Sequence, residues 1–261
     1  MLDDGEISGR IFFPRREPAP VAVPGKMDVL SIPVAAKTAI GGLLFIQKPA
    51  LPTLLLFHGN GEIATDYMDI AGDYIDCGVN FAVADYRGYG FSDGEPSFTA
   101  LFQDCIPIYD HLRKVLEKKG CNTAMFVLGR SLGSTCAAEI GSRQVQGLLG
   151  IVFESGIGDT FSVMQRLWNL NELGITRELV KPLSNDTRVK KATSPVLVIH
   201  GTADYIVPVE QADVLYNSVP DGVYKKKVII DGAGHNDILM WKDEYFPPLK
   251  HFIADCQKKK V

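Results

Sequence analysis

Short apolar runs recur along the chain with almost no polar residue inside them, and longer mixed stretches separate them. The runs are Leu54-Leu55-Leu56-Phe57, residues 79–84, 123–128, 148–153, 196–199 and 227–230. A strand covered on both faces has no solvent side on which to place polar residues. Runs of this kind therefore predict a parallel sheet between two helical layers. The stretches between them predict helices from Ile63 to Cys77, Phe98 to Lys119, Ser134 to Ile140, Val209 to Val219 and Trp241 to Cys256. Ahead of this alternation, Met27 to Val34 and Ala39 to Ile46 are strand-like and closely joined, which predicts an antiparallel hairpin. No internal repeat or low-complexity linker divides the pattern, so residues 1–261 are read as a single α/β domain.

One segment departs from the alternation. Between Phe153 and Pro195 no clear strand occurs, yet Ile157, Phe161, Met164 and Trp168 fall at i, i+4, i+7 and i+11. That spacing places them on one helical face. The face predicts either an ordinary core-facing helix or a short cap-like insertion, at about 156–190, that roofs a substrate pocket with these four side chains.

Composition narrows the class. With 46% hydrophobic and 22% charged residues and a net charge of −4, the chain is that of a globular protein with no electrostatic reason to bind nucleic acid. The basic runs Lys225-Lys226-Lys227 and Lys258-Lys259-Lys260 are read as solvated surface. Five scattered cysteines without paired spacing argue against a disulfide framework or a zinc site, and they suit a reducing compartment. The acidic start, Met1-Leu2-Asp3-Asp4-Gly5-Glu6, has no apolar signal-peptide core, and no stretch is apolar for long enough to span a bilayer. The expectation is a cytoplasmic protein without a stable membrane anchor; its oligomeric state is left open.

The chemistry enters at Gly129-Arg130-Ser131-Leu132-Gly133. An apolar run precedes it and a helix-compatible run rich in small residues follows. Strand, G-x-S-x-G, helix is the context of a nucleophile elbow. The five-residue pattern alone arises by chance in about one chain in ten of this length. What lies downstream gives it weight. A hydroxyl is a weak nucleophile at its own pKa and needs a base, and the base needs an orienting group. Asp204 follows the apolar run 196–199 in His200-Gly201-Thr202-Ala203-Asp204, and His235 follows 228–230 in Gly232-Ala233-Gly234-His235. The order Ser131, Asp204, His235 is that of the triad on an α/β-hydrolase sheet. Glu154 is the rival for the acid, because it also ends a strand after the elbow. An oxyanion needs two backbone N–H donors: Leu132 follows the nucleophile, and Phe57-His58-Gly59-Asn60-Gly61 supplies the other, with Asn60 ahead of Gly61. His58 is read as a structural histidine beside that loop.

These segments, with Asp85-Tyr86-Arg87-Gly88-Tyr89-Gly90-Phe91-Ser92 and Gly234-His235-Asn236-Asp237, resemble the α/β-hydrolase superfamily from about Thr53 to His235. They are most similar to its small, short-capped esterase and acyl-thioesterase branch. The resemblance implies a mostly parallel eight-stranded sheet with helices on both faces, a serine mechanism through Ser131, Asp204 and His235, and no cofactor or metal. It also implies that the Tyr-Arg-Gly-Tyr-Gly turn is architectural. The expected reaction is hydrolysis of a small carboxylic ester, of short-to-medium acyl chain, through an acyl-enzyme. The alternatives are an acyl-protein thioesterase or depalmitoylase, a serine peptidase, and a hydrolase-fold protein that only binds a ligand.

Overall fold

The computed structural model describes Asp3 and residues 5–258. Lys259 and Lys260 of the second basic run, and Met1, Leu2 and Asp4 of the acidic start, lie outside the described residues, as does the side chain of Glu6. The strands are β1 (Asp28–Ala35), β2 (Thr38–Phe45), β3 (Thr53–Phe57), β4 (Asn80–Ala84), β5 (Met125–Arg130), β6 (Leu148–Glu154), β7 (Val196–Gly201) and β8 (Lys225–Ile230). The helices are α1 (Gly5–Ile11), α2 (Ala71–Ile75), α3 (Phe98–Lys118), α4 (Ser134–Ser142), α5 (Thr160–Trp168), α6 (Arg177–Val180), α7 (Asn185–Val189), α8 (Glu210–Ser218) and α9 (Lys242–Lys258).

All eight strands form one sheet in the order β1-β2-β4-β3-β5-β6-β7-β8. From β4 to β8 the pairings are parallel, whereas β2 runs antiparallel to both β1 and β4. Except at the edge strand β8, where Val228 is half-buried and Ile229 exposed, the apolar runs have the cause inferred from their pattern. Leu55 and Phe57 of β3 point into the core shared with α3 and α4, while Leu54 and Leu56 point into the core shared with α2 and α9. Both side-chain sets of β3 are thus buried, as period-two geometry requires of a central strand.

Two local expectations need correction. Residues 63–77 form no continuous helix: a 3₁₀ turn covers Ala64–Tyr67 and α2 covers only Ala71–Ile75. A tertiary partner pins the first turn, since the Ala64 N–H donates to Asp85 Oδ1 at 2.8 Å, while Asp66 Oδ2 caps the Ile63 N–H locally at 3.0 Å. Second, β8 begins at Lys225, so the first lysine run lies inside a strand. It pairs with β7 alone at the end of the sheet. Lysines on an edge strand discourage another chain from adding to it.

The order of strand addition reverses beside β3, with β4 placed on one side and β5 on the other. Open α/β sheets hold their ligands at such a switch, beyond the carboxyl ends of the strands. Ser131 follows directly on the end of β5 there.

Candidate active site

Ser131 occupies the left-handed region, with φ 50°. Non-glycine residues reach that region only at a cost of roughly 1–2 kcal/mol, and here it turns the chain sharply from β5 into the helix that follows. The neighbouring glycines make room for the turn. A Cβ on Gly129 would overlap the carbonyl of Gly133, and one on Gly133 would overlap the carbonyl oxygen of Phe57, with His58 O at 3.0 Å. These obstacles are backbone atoms that cannot swing aside. Gly133→Ala is therefore expected to destabilise the fold by about 3 kcal/mol or more, read from the urea midpoint. An unchanged midpoint would show that the elbow has slack.

Three loops converge on the serine. Its Oγ lies 2.9 Å from His235 Nε2, and His235 Nδ1 lies 2.7 Å from Asp204 Oδ2. The carboxylate accepts at Nδ1, which fixes the proton there and leaves Nε2 free to accept from the hydroxyl. Asp204 is itself braced. Its Oδ1 accepts the N–H groups of Ile206 at 3.0 Å and Val207 at 2.8 Å, and its Oδ2 is 3.3 Å from His200 Nε2. His200 Nε2 also donates to Val207 O at 2.8 Å. Burial pushes the Asp204 carboxyl up, but the hydrogen bonds from His200 and His235, with the His235 charge and the Val207 N–H, outweigh it. The result lies well below the usual carboxylate range. All three members are nearly buried.

Glu154, the rival acid, is engaged elsewhere: Arg130 Nη1 donates to its Oε1 at 3.0 Å and the Tyr245 hydroxyl to its Oε2 at 2.5 Å. Burial pushes its carboxyl up despite the opposing Arg130 charge. His58 braces the loop after β3, with Nδ1 2.8 Å from Gly59 O and Nε2 3.2 Å from Asp85 Oδ1.

A cavity of about 370 Å³ opens beside Ser131 and His235. Asn60 and Leu132, the residues expected to supply the oxyanion donors, both line it. The Asn60 side chain is clamped, donating to Ile11 O at 2.6 Å and accepting from the Phe13 N–H at 3.0 Å and the Tyr89 hydroxyl at 2.6 Å. The turn that carries Tyr89 thus supports the loop next to the serine, and the N-terminal segment is stitched to that same loop.

Of the four side chains expected on the pocket roof, Ile157 and Trp168 line the cavity. Phe161 and Met164 do not, and that expectation is corrected. Phe161 packs under the guanidinium of Arg177, 4.8 Å from its ring centroid, and Met164 is buried in the core. Helix α5 starts only at Thr160, so Ile157 precedes it and shares no helical phase with the others. Within α5 it is Val163, Leu167 and Trp168 that face the cavity. Phe13, Ile206 and Val207 were also missed by the reading of the chain. Ile206 and Val207 lie just beyond Asp204, separated from it by Tyr205, and that proximity could have flagged them. Phe13 carries no local signal, because it arrives by tertiary contact.

Ser134 joins the elbow to the helices between β6 and β7. Its Oγ donates to Ser131 O at 2.5 Å and accepts from the Ile157 N–H at 3.0 Å and from Asn185 Nδ2 at 3.1 Å. Gln211 ties the same region to α8, its Oε1 accepting the N–H groups of Gly158 and Asp159 at 3.1 and 2.8 Å. Among the described residues, no helix is long and apolar enough to cross a membrane.

Comparison with known proteins bears on the family and the fold. The family described as serine aminopeptidase, S33, matches residues 48–181. Alpha/beta hydrolase domain-containing protein 17C from Mus musculus is 30% identical over 209 residues, covering 77% of this chain and 59% of that protein. The Homo sapiens protein of the same name is equally similar, with 58% of it covered. The chain thus spans about three fifths of the length of these curated relatives. Among solved structures, an esterase from Pyrococcus furiosus superposes with a TM-score of 0.72 at 20% identity, covering 93% of this chain and 98% of that one. A bacterial membrane phospholipase A superposes at 0.67 with 16% identity, over 89% and 87% of the two chains; at these identities both likenesses speak for the fold alone. With just over half of its length matched by the S33 family and its strands in a mostly parallel eight-stranded sheet, the chain belongs to the α/β-hydrolase superfamily.

Proposed function

We propose that this hydrolase cleaves carboxylic esters of short-to-medium acyl chains through an acyl-enzyme on Ser131. The observation that carries the proposal is the unbroken chain of hydrogen bonds Ser131–His235–Asp204 at the mouth of an apolar cavity. His235 takes the Ser131 proton as Oγ attacks the carbonyl carbon. The tetrahedral oxyanion is held by the N–H groups of Leu132 and Asn60, each worth about 2.7–4 kcal/mol in such sites. His235 then returns the proton to the departing alcohol, and water activated by the same imidazole releases the acid. Helices α5 to α7 act as a short cap, and the acyl chain lies against Ile157, Val163, Leu167 and Trp168.

The cavity of about 370 Å³ is at the small end of ligand pockets, which favours modest acyl groups. A peptidase that captures a free amine needs an available carboxylate. Glu62, which lines the cavity, is already taken by Arg130 at 2.7 Å and by the Tyr67 hydroxyl at 2.6 Å. A second reading, hydrolysis of acyl thioesters including S-acylated proteins, is favoured by the cavity rim. There Phe13, Leu167 and Ile206 are exposed, so an acyl chain on a bulky leaving group could enter from outside.

Hydrolysis of p-nitrophenyl esters and matched thioesters across acyl lengths tests both. Each methylene buried contributes about 0.8 kcal/mol, so kcat/KM should rise about fourfold per carbon and then stop rising once the cavity is full. Ile157→Phe should move that break to shorter chains. Rates independent of chain length would defeat the acyl-pocket assignment, and a consistent preference for thioesters would select the second reading.

A further inference from the structure

The residue before the nucleophile carries a charge into the interior. Arg130 is only 5% exposed, and its guanidinium has three partners. Nε donates to Glu62 Oε1 at 2.7 Å, while Nη1 donates to Glu154 Oε1 and to the main-chain oxygen of His235, both at 3.0 Å. Glu62 extends the chain of contacts, because its Oε2 accepts the Gly59 N–H at 2.8 Å and the Tyr67 hydroxyl at 2.6 Å. One side chain therefore links the loop bearing Asn60, the strand end bearing Ser131 and the loop bearing His235.

We propose that Arg130 is a positioning residue: it holds the His235 loop, and through Glu62 the Gly59-Asn60 loop, in register with Ser131. The inference rests on the acyl-transfer reading above. An ion pair that served stability alone would be complete with Glu62 and Glu154. The additional bond to His235 O and the relay to the Gly59 N–H end on the two segments whose placement sets the reaction geometry. A planar guanidinium has donors fixed in direction, so it can hold three acceptors at once, which an ammonium on a flexible stem does less well. Displacing reacting groups by about 1 Å can cost about a hundredfold in rate, so small losses of register have large kinetic effects.

The test uses the full chain as wild type, Arg130→Met, Arg130→Lys, Glu62→Gln and the double variant Arg130→Met/Glu62→Gln. Rates on a p-nitrophenyl ester are expressed per site titrated by an organophosphonate on Ser131, which removes any unfolded fraction from the comparison. Arg130→Met is expected to lower kcat by about 10–100-fold with KM within about threefold. Arg130→Lys should recover part of that loss. Glu62→Gln should lower kcat by about tenfold, and the double variant should be no worse than Arg130→Met, because both act through one linkage. Should Arg130→Met fail to fold, Glu62→Gln decides alone. Wild-type kcat per titrated site in the folded variants, with the wild type active, overturns the positioning role by itself. A wild type that neither labels nor hydrolyses overturns the acyl-transfer reading, and this inference with it.

Discussion

Ser131→Ala is expected to lower kcat by about a million-fold, the loss typical of removing the nucleophile from a working triad. Among the described residues the Ser131 side chain hydrogen-bonds to His235 alone, so little else changes with it. Alanine pays the same left-handed backbone strain at φ 50° as serine, and stability should move by less than about 1 kcal/mol. The variant should therefore be folded, unreactive toward organophosphonates and still able to bind ester in the cavity. Residual catalysis of about a thousandfold over water is expected to remain, supplied by the oxyanion donors and by binding. Activity within tenfold of wild type would move the nucleophile to another residue.

Asp204→Asn is the next largest effect, a fall of about 10⁴ in kcat with the geometry intact. An amide in that place can present its NH₂ group to His235 Nδ1, which reverses the tautomer and takes the accepting lone pair away from Ser131. The same substitution reads out a stability term. Ionised Asp204 has a folded pKa below its ordinary value of 3.8, so the stabilisation is fully present above pH 3.8 and disappears as pH falls through the folded value. Urea midpoints of wild type and Asp204→Asn should accordingly differ most at neutral pH and converge as the pH is lowered past 3.8 toward the folded value. A gap that stayed constant over that acid range would mean that the hydrogen bonds to His200 and His235 do not stabilise the charge.

Much of the sheet was legible in the chain because burial on both faces leaves a simple signature. Leu54-Leu55-Leu56-Phe57 could be nothing exposed, and its alternate side chains indeed enter two different cores. The hairpin of β1 and β2 followed from two strand-like runs separated by a short turn. Ser131, Asp204 and His235 were legible because each comes a few residues after an apolar run, and parallel strands carry all such loops to one edge of the sheet.

The pocket was not legible in the same way. Periodicity groups residues that share a helical face, but it says neither where the helix begins nor which face meets the cavity. Hence Phe161 and Met164 were grouped with Trp168, whereas Val163 and Leu167 line the site. The segment from Ile63 to Cys77 shows the same limit, since Asp85, from a later strand end, captures the Ala64 N–H and holds a turn where local propensity suggested a helix. Phe13 and the partners of Arg130 lie dozens of residues from the groups they touch. By itself the sequence determined the parallel sheet, the elbow and the order of the triad, because these depend on burial and backbone sterics within a few residues. Which side chains surround the serine was decided only by the tertiary structure, because sheet order brings together segments whose sequences carry no mark of one another.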